Sequence, residues 1–497
     1  MTETPYQQLE KRFKRLSALA EAEAVLHWDL AAVMPRGGAR ARGEQLAELK
    51  AVRHGMLTAP ATGELLAAAG AADGLDAWQR ANLREMRRRW DKATALSEDL
   101  VVALSKAESA CETAWRTARP AGDFAAVMPY LEELLDRVRE AAAAKAEKQG
   151  VGLYDALLDD YEPDGRSADI DREFAEIEAF LPGFLGEVLE RQAAAGAPSM
   201  PSGPFPRAKQ EALGICLMQT LGFDFDHGRL DVSLHPFCGG TPDDVRITTR
   251  YDEDDFTPSL MAVLHETGHA LYERGLPQAW RGQPVGDALG MSVHEGQSLL
   301  IEMQVCRSER FLSYAAPLMR EMFGGRGPAW EPGNLYRVYT RVKPDFIRVD
   351  ADEVTYPAHV ILRYRLEKAL IGGDLQVAEL PAAWNEGMRK LLGLTPPSDR
   401  EGCLQDLHWY DGAWGYFPTY TLGAMTAAQL FDAARRADPA IEDGIGNGQF
   451  KPLTDWLGAH VHAKGSLMSA RELLIEATGR PLDPKLFIRH LRARYLP

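Results

Sequence analysis

TPSLMAVLHETGHALYERGLP, residues 257–277, contains signals for both ends of one helix. Thr257 is a favourable N-cap, and Pro258 suits the first helical position, where its missing N–H costs nothing. Gly275 followed by Pro277 is a typical C-terminal stop signal. The stretch therefore predicts a helix of about 17 residues that begins at the threonine and ends at the glycine.

His265-Glu-Thr-Gly-His269 in the middle of this helix matches the pattern HExxH. Residues four apart share one helix face with Cβ atoms about 5–6 Å apart, so the two imidazoles can converge on one Zn²⁺. Glu266 lies about 100° around the helix, beside the metal face. The spacing therefore predicts two metal ligands and a carboxylate that holds the attacking water without binding the ion.

A catalytic zinc usually takes three protein ligands and leaves a fourth position for water. The metzincin pattern would require a histidine at Gly275, so that class is excluded. The following helical segment offers Glu295, which comes 26 residues after His269. Glu302 is a rival two turns further on, and His294 is a weaker one. Spacing favours Glu295 but leaves these alternatives open.

The composition is that of an ordinary folded protein. Of 497 residues, 45% are hydrophobic and 26% charged, and 56 basic against 72 acidic residues give a net charge of −16. A protein that follows a phosphate backbone needs a positive surface, so we expect no nucleic-acid partner. The chain contains no stretch of about 18 uncharged apolar residues, so we also expect no membrane partner.

The cysteines and the N-terminal residues indicate the compartment. The five cysteines are scattered and form no CxxC pair, which argues against a disulfide framework and a thiolate zinc site. The first residues, MTETPYQQLEKR, are polar and charged and do not resemble a signal peptide. We therefore expect a soluble cytoplasmic protein with free thiols at Cys111, Cys216, Cys238, Cys306 and Cys403.

Periodicity predicts a mainly α-helical chain with one small β-sheet near its middle. The first 190 residues have helical patterning, as in the apolar stripe of 131–138. Glycine and proline in 193–206 indicate a break, so we expect a single catalytic unit, 1–497, with a lobe boundary there. The only strand-like segments are 230–234 and 245–251. The basic residues of 84–92 are expected on a solvated helix face.

Five separated motifs resemble those of the carboxypeptidase Taq family (M32) of metallocarboxypeptidases, and they follow the family's order. The stretch HWD at 27–29 also resembles the N-terminal region of this family. The five motifs are DVRIT at 244–248, HETGH at 265–269, HEGQ at 294–297, IRVDAD at 347–352 and GCLQDLHW at 402–409.

The resemblance implies that Glu295 is the third metal ligand. It also implies a large helical, saddle- or clam-like subunit with a deep groove, similar to neurolysin and angiotensin-converting enzyme, with the small sheet near the active site. The resemblance further implies a homodimer that releases residues one at a time from peptides with a free C-terminus, with broad specificity. The expected cofactor is Zn²⁺, with Co²⁺ as the alternative, because this ligand set does not select strongly between them.

The chemistry expected from these residues is metal-assisted hydrolysis of a peptide bond. The metal lowers the pKa of its water towards about 7, and Glu266 acts as the general base. Donors must also stabilise the oxyanion that forms. By resemblance to related peptidases, His408 and Tyr420 are the candidates, with Tyr416 and Tyr410 as fallback donors.

A carboxypeptidase must also recognise the terminal carboxylate of its substrate, which a guanidinium does well. Arg348 is the first candidate and Arg246 the second. The alternative for each is a structural salt bridge, to Asp350 and to Asp244 respectively. His235 begins an HPF stretch similar to one that limits peptide length in some family members, and its alternative is a simple turn.

Two other functions compete with this prediction. A zinc endopeptidase or dipeptidase of related fold would share every metal residue and lack selection for a terminal carboxylate. A non-enzymatic helical scaffold would commonly have lost a ligand or the base, whereas His265, Glu266, His269 and Glu295 are all present.

Overall fold

The computed structural model describes residues 3–497 and is mainly helical, as predicted. Within that range no helix is long and apolar enough to cross a membrane. The helices are α1 (Pro5–Ala32), α2 (Ala39–Thr58), α3 (Pro60–Gly70), α4 (Ala77–Ala93), α5 (Glu98–Ala121), α6 (Phe124–Gln149), α7 (Leu153–Leu158), α8 (Ser167–Ala195), α9 (Arg207–Leu221), α10 (Thr257–Gly275), α11 (Met291–Leu299), α12 (Glu309–Phe323), α13 (Pro332–Tyr339), α14 (Tyr356–Gly372), α15 (Leu380–Leu392), α16 (Pro418–Ala437), α17 (Ala440–Gly446), α18 (Lys451–His460), α19 (Ala470–Thr478) and α20 (Pro484–Tyr495).

One small sheet precedes α10. Its strands are β1 (Gly228–Val232), β2 (Phe237–Thr241) and β3 (Asp244–Thr249). The order is β1-β3-β2, with β1 parallel and β2 antiparallel to β3. Sequence analysis missed β2, because the glycine pair inside it read as a break. Gly240 has φ +84, and a Cβ there would lie 2.1 Å from the Asp244 carbonyl oxygen, so only glycine fits where the hairpin reverses.

Two large apolar cores meet at α16. One core is formed mainly by α5 to α8 with α14, α15 and α20, and includes the predicted stripe of α6. The other is formed mainly by α9 to α13 with α17 to α19. Helix α16 contributes Met425 to the first core and Leu430 to the second. This helix is therefore held on both sides, which makes it a rigid support for the residues it carries.

The basic face of α4 is not simply solvated, so that prediction was wrong. Arg88 and Lys92 both form ion pairs with Asp159, and Arg89 pairs with Asp287. These acids belong to later parts of the chain, which the local sequence pattern could not reveal. The face connects the N-terminal helices to the rest of the molecule.

The predicted break in regular structure lies between α8 and α9. Helix α8 ends at Ala195 and α9 begins at Arg207. The intervening residues form neither helix nor strand, as their glycine and proline content predicts.

Candidate active site

Helix α10 has nearly the predicted bounds but a different N-cap. It spans Thr257–Gly275, so the threonine is the first helical residue and Phe256 is the cap. The carboxylate of Asp255 accepts the Thr257 backbone N–H at 2.9 Å and its hydroxyl at 2.7 Å. The side-chain cap therefore comes from the preceding aspartate. Gly275 ends the helix against His462, whose ring leaves no room for a Cβ there.

His265, His269 and Glu295 converge at the centre of the molecule. Their ligand atoms all lie within 4.8 Å of one another. Glu295 Oε2 is 3.8 Å from His265 Nε2 and 3.5 Å from His269 Nε2. Two imidazole nitrogens and one carboxylate oxygen suit Zn²⁺ or a similar ion with an open position. The three residues therefore form a candidate metal site, in the arrangement expected from the motifs.

Close helix crossings bring Glu295 to the histidines. A Cβ on Gly268 would lie 2.6 Å from the Gln297 carbonyl oxygen, so glycine lets α10 approach α11. A Cβ on Gly423 would lie 2.7 Å from both Cβ and Cγ of Glu295, so α16 presses directly against the ligand. The position of this carboxylate is thus set by backbone packing on two sides.

The two alternative ligands, Glu302 and His294, contact the Nδ1 atoms of the histidines, on the side away from Glu295. Glu302 Oε2 is 3.0 Å from His265 Nδ1, and its other oxygen accepts from Arg307 at 2.7 Å. Glu302 belongs to residues 300–306, which form a π-helical segment directly after α11. His294 contacts the ring of His269 on the side opposite Glu295. Neither rival belongs to the candidate metal site.

The charge around the site favours a cation. Glu266, Glu295 and Glu302 are all buried there, and Arg307 pairs with only one of them. Burial disfavours a charged His265, but Glu295, Glu302 and Glu266 overcome this and raise its pKa to about 10. Three buried carboxylates around two imidazoles therefore favour a positive charge at this place. The residues present therefore fit the metal that the motifs imply.

Glu266 lies next to the metal ligands but is not one of them. It is buried, and this desolvation raises its pKa to about 7, against the opposing effect of His265. A carboxylate with a pKa near neutrality can both accept and return a proton. Its position and its environment suit a general base.

Aromatic hydroxyls line the side of the site contributed by α16. Tyr420 lies in the first turn of that helix, and its hydroxyl is 3.2 Å from His408 Nε2. The rings of Tyr416 and Tyr420 are 5.1 Å apart. Burial raises the pKa of both tyrosines, and the charge of Glu295 raises both further. Both hydroxyls therefore stay protonated near neutral pH and can donate hydrogen bonds.

Arg348 is buried against this aromatic cluster. Its guanidinium lies 4.8 Å from the Tyr420 ring centre and donates to the Tyr356 hydroxyl at 2.9 Å. Two of its nitrogens bond one oxygen of Asp406 at 2.9 Å, and Arg363 bonds the other at 2.6 Å. The salt bridge expected with Asp350 was therefore wrong, since Asp406 is the partner.

Arg246 on β3 pairs with Asp244, as its alternative predicted. The shortest bond of the pair is 2.6 Å. The guanidinium also lies 4.2 Å from the ring centre of Trp28 on α1, and Arg229 lies against the same ring at 4.9 Å. Arg246 therefore ties α1 to the sheet, and its charge is largely compensated.

Tyr410 does not face the site, so its prediction as a donor was wrong. It is fully buried, and its hydroxyl donates to the Cys403 carbonyl at 3.0 Å. His235 is exposed in the turn between β1 and β2, where its carbonyl accepts from the Ser233 hydroxyl. The structure brings together His408, Tyr416 and Tyr420, and leaves Tyr410 in the core.

Sequence analysis missed several residues that shape the site. Tyr356 and Arg363 hold Arg348 and Asp406, and Arg307 holds Glu302. The Arg363–Asp406 contact joins residues 43 apart in the chain, and the two shorter-range contacts start outside regular α-helix, so helical periodicity could not reveal them. Only Asp406 carried a signal, since it lies inside the GCLQDLHW motif.

The comparisons with known proteins agree with this geometry. The family described as Carboxypeptidase Taq (M32) metallopeptidase matches residues 8–495. Thermostable carboxypeptidase 1 of Thermus thermophilus is 38% identical over 509 residues, which cover 99% of this chain and 98% of that protein. Carboxypeptidase 1 of Bacillus subtilis is 35% identical, with 98% of each chain covered.

Solved structures show the same architecture. Metallocarboxypeptidase 1 of Trypanosoma cruzi superposes with a TM-score of 0.97 at 43% identity, covering 99% of both chains. The M32 carboxypeptidase of Deinococcus radiodurans gives a TM-score of 0.94 at 35% identity, again covering 99% of both. The similarity therefore extends over the whole fold and not only over the metal-binding helices.

Proposed function

This chain belongs to the carboxypeptidase Taq (M32) metallopeptidase family and is a metallocarboxypeptidase, and we propose that it uses Zn²⁺ to release C-terminal residues from peptides with broad specificity. Co²⁺ is the alternative ion, because two imidazoles and a carboxylate accept both. The observation that carries the proposal is the convergence of His265, His269 and Glu295, with Glu266 beside them.

Glu266 is the proposed general base. When bound, the metal supplies Lewis acidity, which lowers the pKa of a water towards about 7 and polarises the scissile carbonyl. Glu266 accepts a proton from the attacking water and donates it to the departing amine. Its burial beside His265 keeps competing water away and sets its proton affinity near neutrality.

Tyr420 and His408 are the proposed donors to the developing oxyanion. The Tyr420 hydroxyl is 3.2 Å from His408 Nε2. Burial raises the pKa of Tyr420, so its hydroxyl stays neutral. A neutral hydroxyl aimed at the reacting carbonyl strengthens its hydrogen bond as negative charge develops there. Tyr416 is next to them and is proposed as a substrate contact.

Arg348 is proposed to bind the terminal carboxylate, with Arg246 as the second candidate. Two arginines, Arg348 and Arg363, share the single carboxylate of Asp406, which leaves one positive charge uncompensated beside Tyr420. A substrate carboxylate would neutralise that charge, and a buried charge gains most from such pairing. Arg246 has its own aspartate and lacks this excess.

The small sheet is proposed to guide the peptide. Its central strand β3, which carries Arg246, is paired on both sides and cannot receive an added strand, whereas β2 is an edge strand. Burial raises the pKa of the Cys238 thiol on β2, and the nearby charge of Glu266 raises it further. An extended peptide could therefore pair with β2 beside α10, with His235 limiting its length.

Other parts of the proposal rest on the family resemblance. We propose a homodimer with a deep groove in each subunit, and a lobe boundary at residues 193–206. We also propose a cytoplasmic location, for which the support is the set of five free cysteines. Light scattering of the purified protein tests the dimer, because a monomeric mass would contradict it.

Peptide digestion tests the function directly. The protein is incubated with a defined peptide, and the products are weighed by mass spectrometry with and without a chelator. We expect stepwise losses from the C-terminus that stop with the chelator and return with Zn²⁺. A C-terminally amidated copy of the peptide is the control, and equal cleavage of the two peptides would indicate an endopeptidase instead.

A further inference from the structure

The two histidines of the candidate metal site have different partners on the side away from Glu295. His265 Nδ1 is 3.0 Å from the Glu302 carboxylate. His269 Nδ1 is instead 2.6 Å from Nδ1 of another imidazole, His294. One ligand is therefore backed by a carboxylate and the other by the ring of His294, which spacing alone had left as a weaker alternative for the third ligand.

His294 is held in turn by a carboxylate on α10. Its Nε2 lies 2.8 Å from Glu273 Oε1. Glu273 follows His269 by one helical turn, so both side chains are on the same face of α10, and the ring from α11 bridges them. The ring also packs edge-on against Tyr272, with ring centres 5.3 Å apart.

This arrangement fixes the proton positions on both rings. His269 must present an unprotonated Nε2 to a metal ion, so its proton is on Nδ1 and it donates to His294. His294 then accepts through Nδ1 and carries its own proton on Nε2, which it donates to Glu273. Each ring nitrogen thus has one role, and the acceptor at the end of the chain determines the tautomer of both rings.

We propose that His294 and Glu273 are positioning residues that hold His269 in its metal-binding tautomer through a two-link hydrogen-bond chain. Glu302 and Arg307 do the same for His265 through one link. The inference deepens the proposed function and rests on it, because it assumes that His269 binds the ion. It makes His294 of the HEGQ motif a support for a ligand on the neighbouring helix.

The inference has a measurable consequence for metal affinity. Loss of a partner that orients a metal-binding histidine typically weakens binding about 10- to 100-fold. His294→Phe keeps a ring in place and removes both hydrogen bonds, so we expect a loss of this size. His294→Gln restores an acceptor for His269 and a donor for Glu273, so it should recover most of the wild-type affinity.

His462→Phe is the matched control. His462 is also buried and also packs against Tyr272, at 5.4 Å between ring centres. Its Nε2 lies 3.0 Å from Gln297 Oε1, so this variant too loses a buried hydrogen bond. It leaves the His269 partner in place, and its metal affinity should therefore stay close to that of the wild type.

The experiment is Zn²⁺ binding by the full-length protein in competition with a chromogenic chelator, with the melting temperature of each metal-free variant alongside. The inference is supported if His294→Phe weakens binding about 10- to 100-fold and the Gln and His462 variants do not. It is overturned if His294→Phe binds as tightly as the wild type, if His294→Gln is as weak as the Phe variant, or if His462→Phe loses as much affinity.

His269→Ala separates this inference from the proposed function. If wild type and His269→Ala bind Zn²⁺ equally, the metal site itself is wrong and the proposed function fails. If His269→Ala abolishes binding and His294→Phe changes nothing, the metal site stands and only the chain through His294 fails.

Discussion

The metal-binding side of the site and the aromatic side are built in different ways. On the metal side, His265 and His269 lie on one helix and Glu295 lies on the helix that follows. On the aromatic side, Arg348 comes from a short 3₁₀ turn, Asp406 from an irregular segment and Tyr420 from the start of α16. The first arrangement follows from the spacing of residues along a helix, and the second depends on contacts between distant parts of the chain.

The two sides also differ in what they contribute, because recognition of the substrate terminus is assigned to the aromatic side alone. The metal side presents groups with a fixed place in the hydrolytic reaction, and close glycine contacts leave its helices little freedom. The aromatic side presents an arginine whose charge is shared through Asp406. Loss of Glu266 on the metal side should therefore mainly affect kcat, whereas on the aromatic side loss of Arg348 should mainly affect substrate selection and loss of the Tyr420 hydroxyl should affect kcat.

The largest effect is expected from Glu266→Gln on the metal side. The amide cannot accept the proton, so kcat should fall about 10²- to 10⁴-fold. Metal content should not change, because Glu266 is not a ligand. Single-turnover peptide hydrolysis and elemental analysis measure the two quantities. Glu190→Gln on the exposed face of α8 is the control, and full activity of Glu266→Gln would rule out this base.

Tyr420→Phe tests the aromatic side, with Tyr410→Phe as its matched control. Loss of one oxyanion donor typically lowers kcat about 10²- to 10³-fold, and KM should change little. Tyr410 donates to a carbonyl in the core, so its variant should keep kcat and lose about 0.5–1.5 kcal/mol of stability. Steady-state kinetics and urea unfolding measure both. A similar kcat in the two variants would remove Tyr420 from the mechanism.

Arg348→Gln tests recognition of the terminal carboxylate. The loss of a buried charge pair costs about 2–5 kcal/mol, so kcat/KM for a free C-terminus should fall by about 30-fold or more. Asp406 would remain paired with Arg363, so the variant should still fold. Arg246→Gln is the comparison, measured on acid and amide forms of one peptide. If Arg246→Gln loses the preference for the acid form and Arg348→Gln keeps it, then Arg246 and not Arg348 binds the terminal carboxylate.

The smallest effect is expected from a single methyl group at the crossing of α11 and α16. Gly423→Ala would push against Glu295, and overpacking of this kind costs about 1–3 kcal/mol. Gly458 in α18 has open space around it, so Gly458→Ala should be neutral or stabilise by up to about 1 kcal/mol. Urea unfolding and Zn²⁺ affinity are the measurements. Equal behaviour of the two variants would mean that the crossing does not constrain the ligand.

Most of the fold and the metal side could be predicted from the sequence. Helix signals placed α10 within two residues, and HExxH spacing placed two imidazoles on one face, which the structure confirms. Spacing alone could not decide between Glu295 and Glu302, because seven residues make about two helical turns and place both carboxylates on one face. The family motifs supplied that choice.

The aromatic side was harder to predict for a physical reason. The burial of Tyr410 and the pairing of Arg348 with Asp406 depend on how irregular segments pack against distant helices. The strand β2 was missed because it contains two adjacent glycines, of which Gly240 is required where the hairpin reverses. Residues of the right type were found in the right segments, but their directions depend on tertiary contacts.

The most direct test is anomalous diffraction at the zinc absorption edge from a crystal of the Zn²⁺-loaded protein. We expect one strong peak bounded by His265 Nε2, His269 Nε2 and Glu295, with Glu302 and His294 behind the two imidazoles. A peak elsewhere, or one that takes Glu302 or His294 as a ligand in place of Glu295, would contradict the proposed metal site.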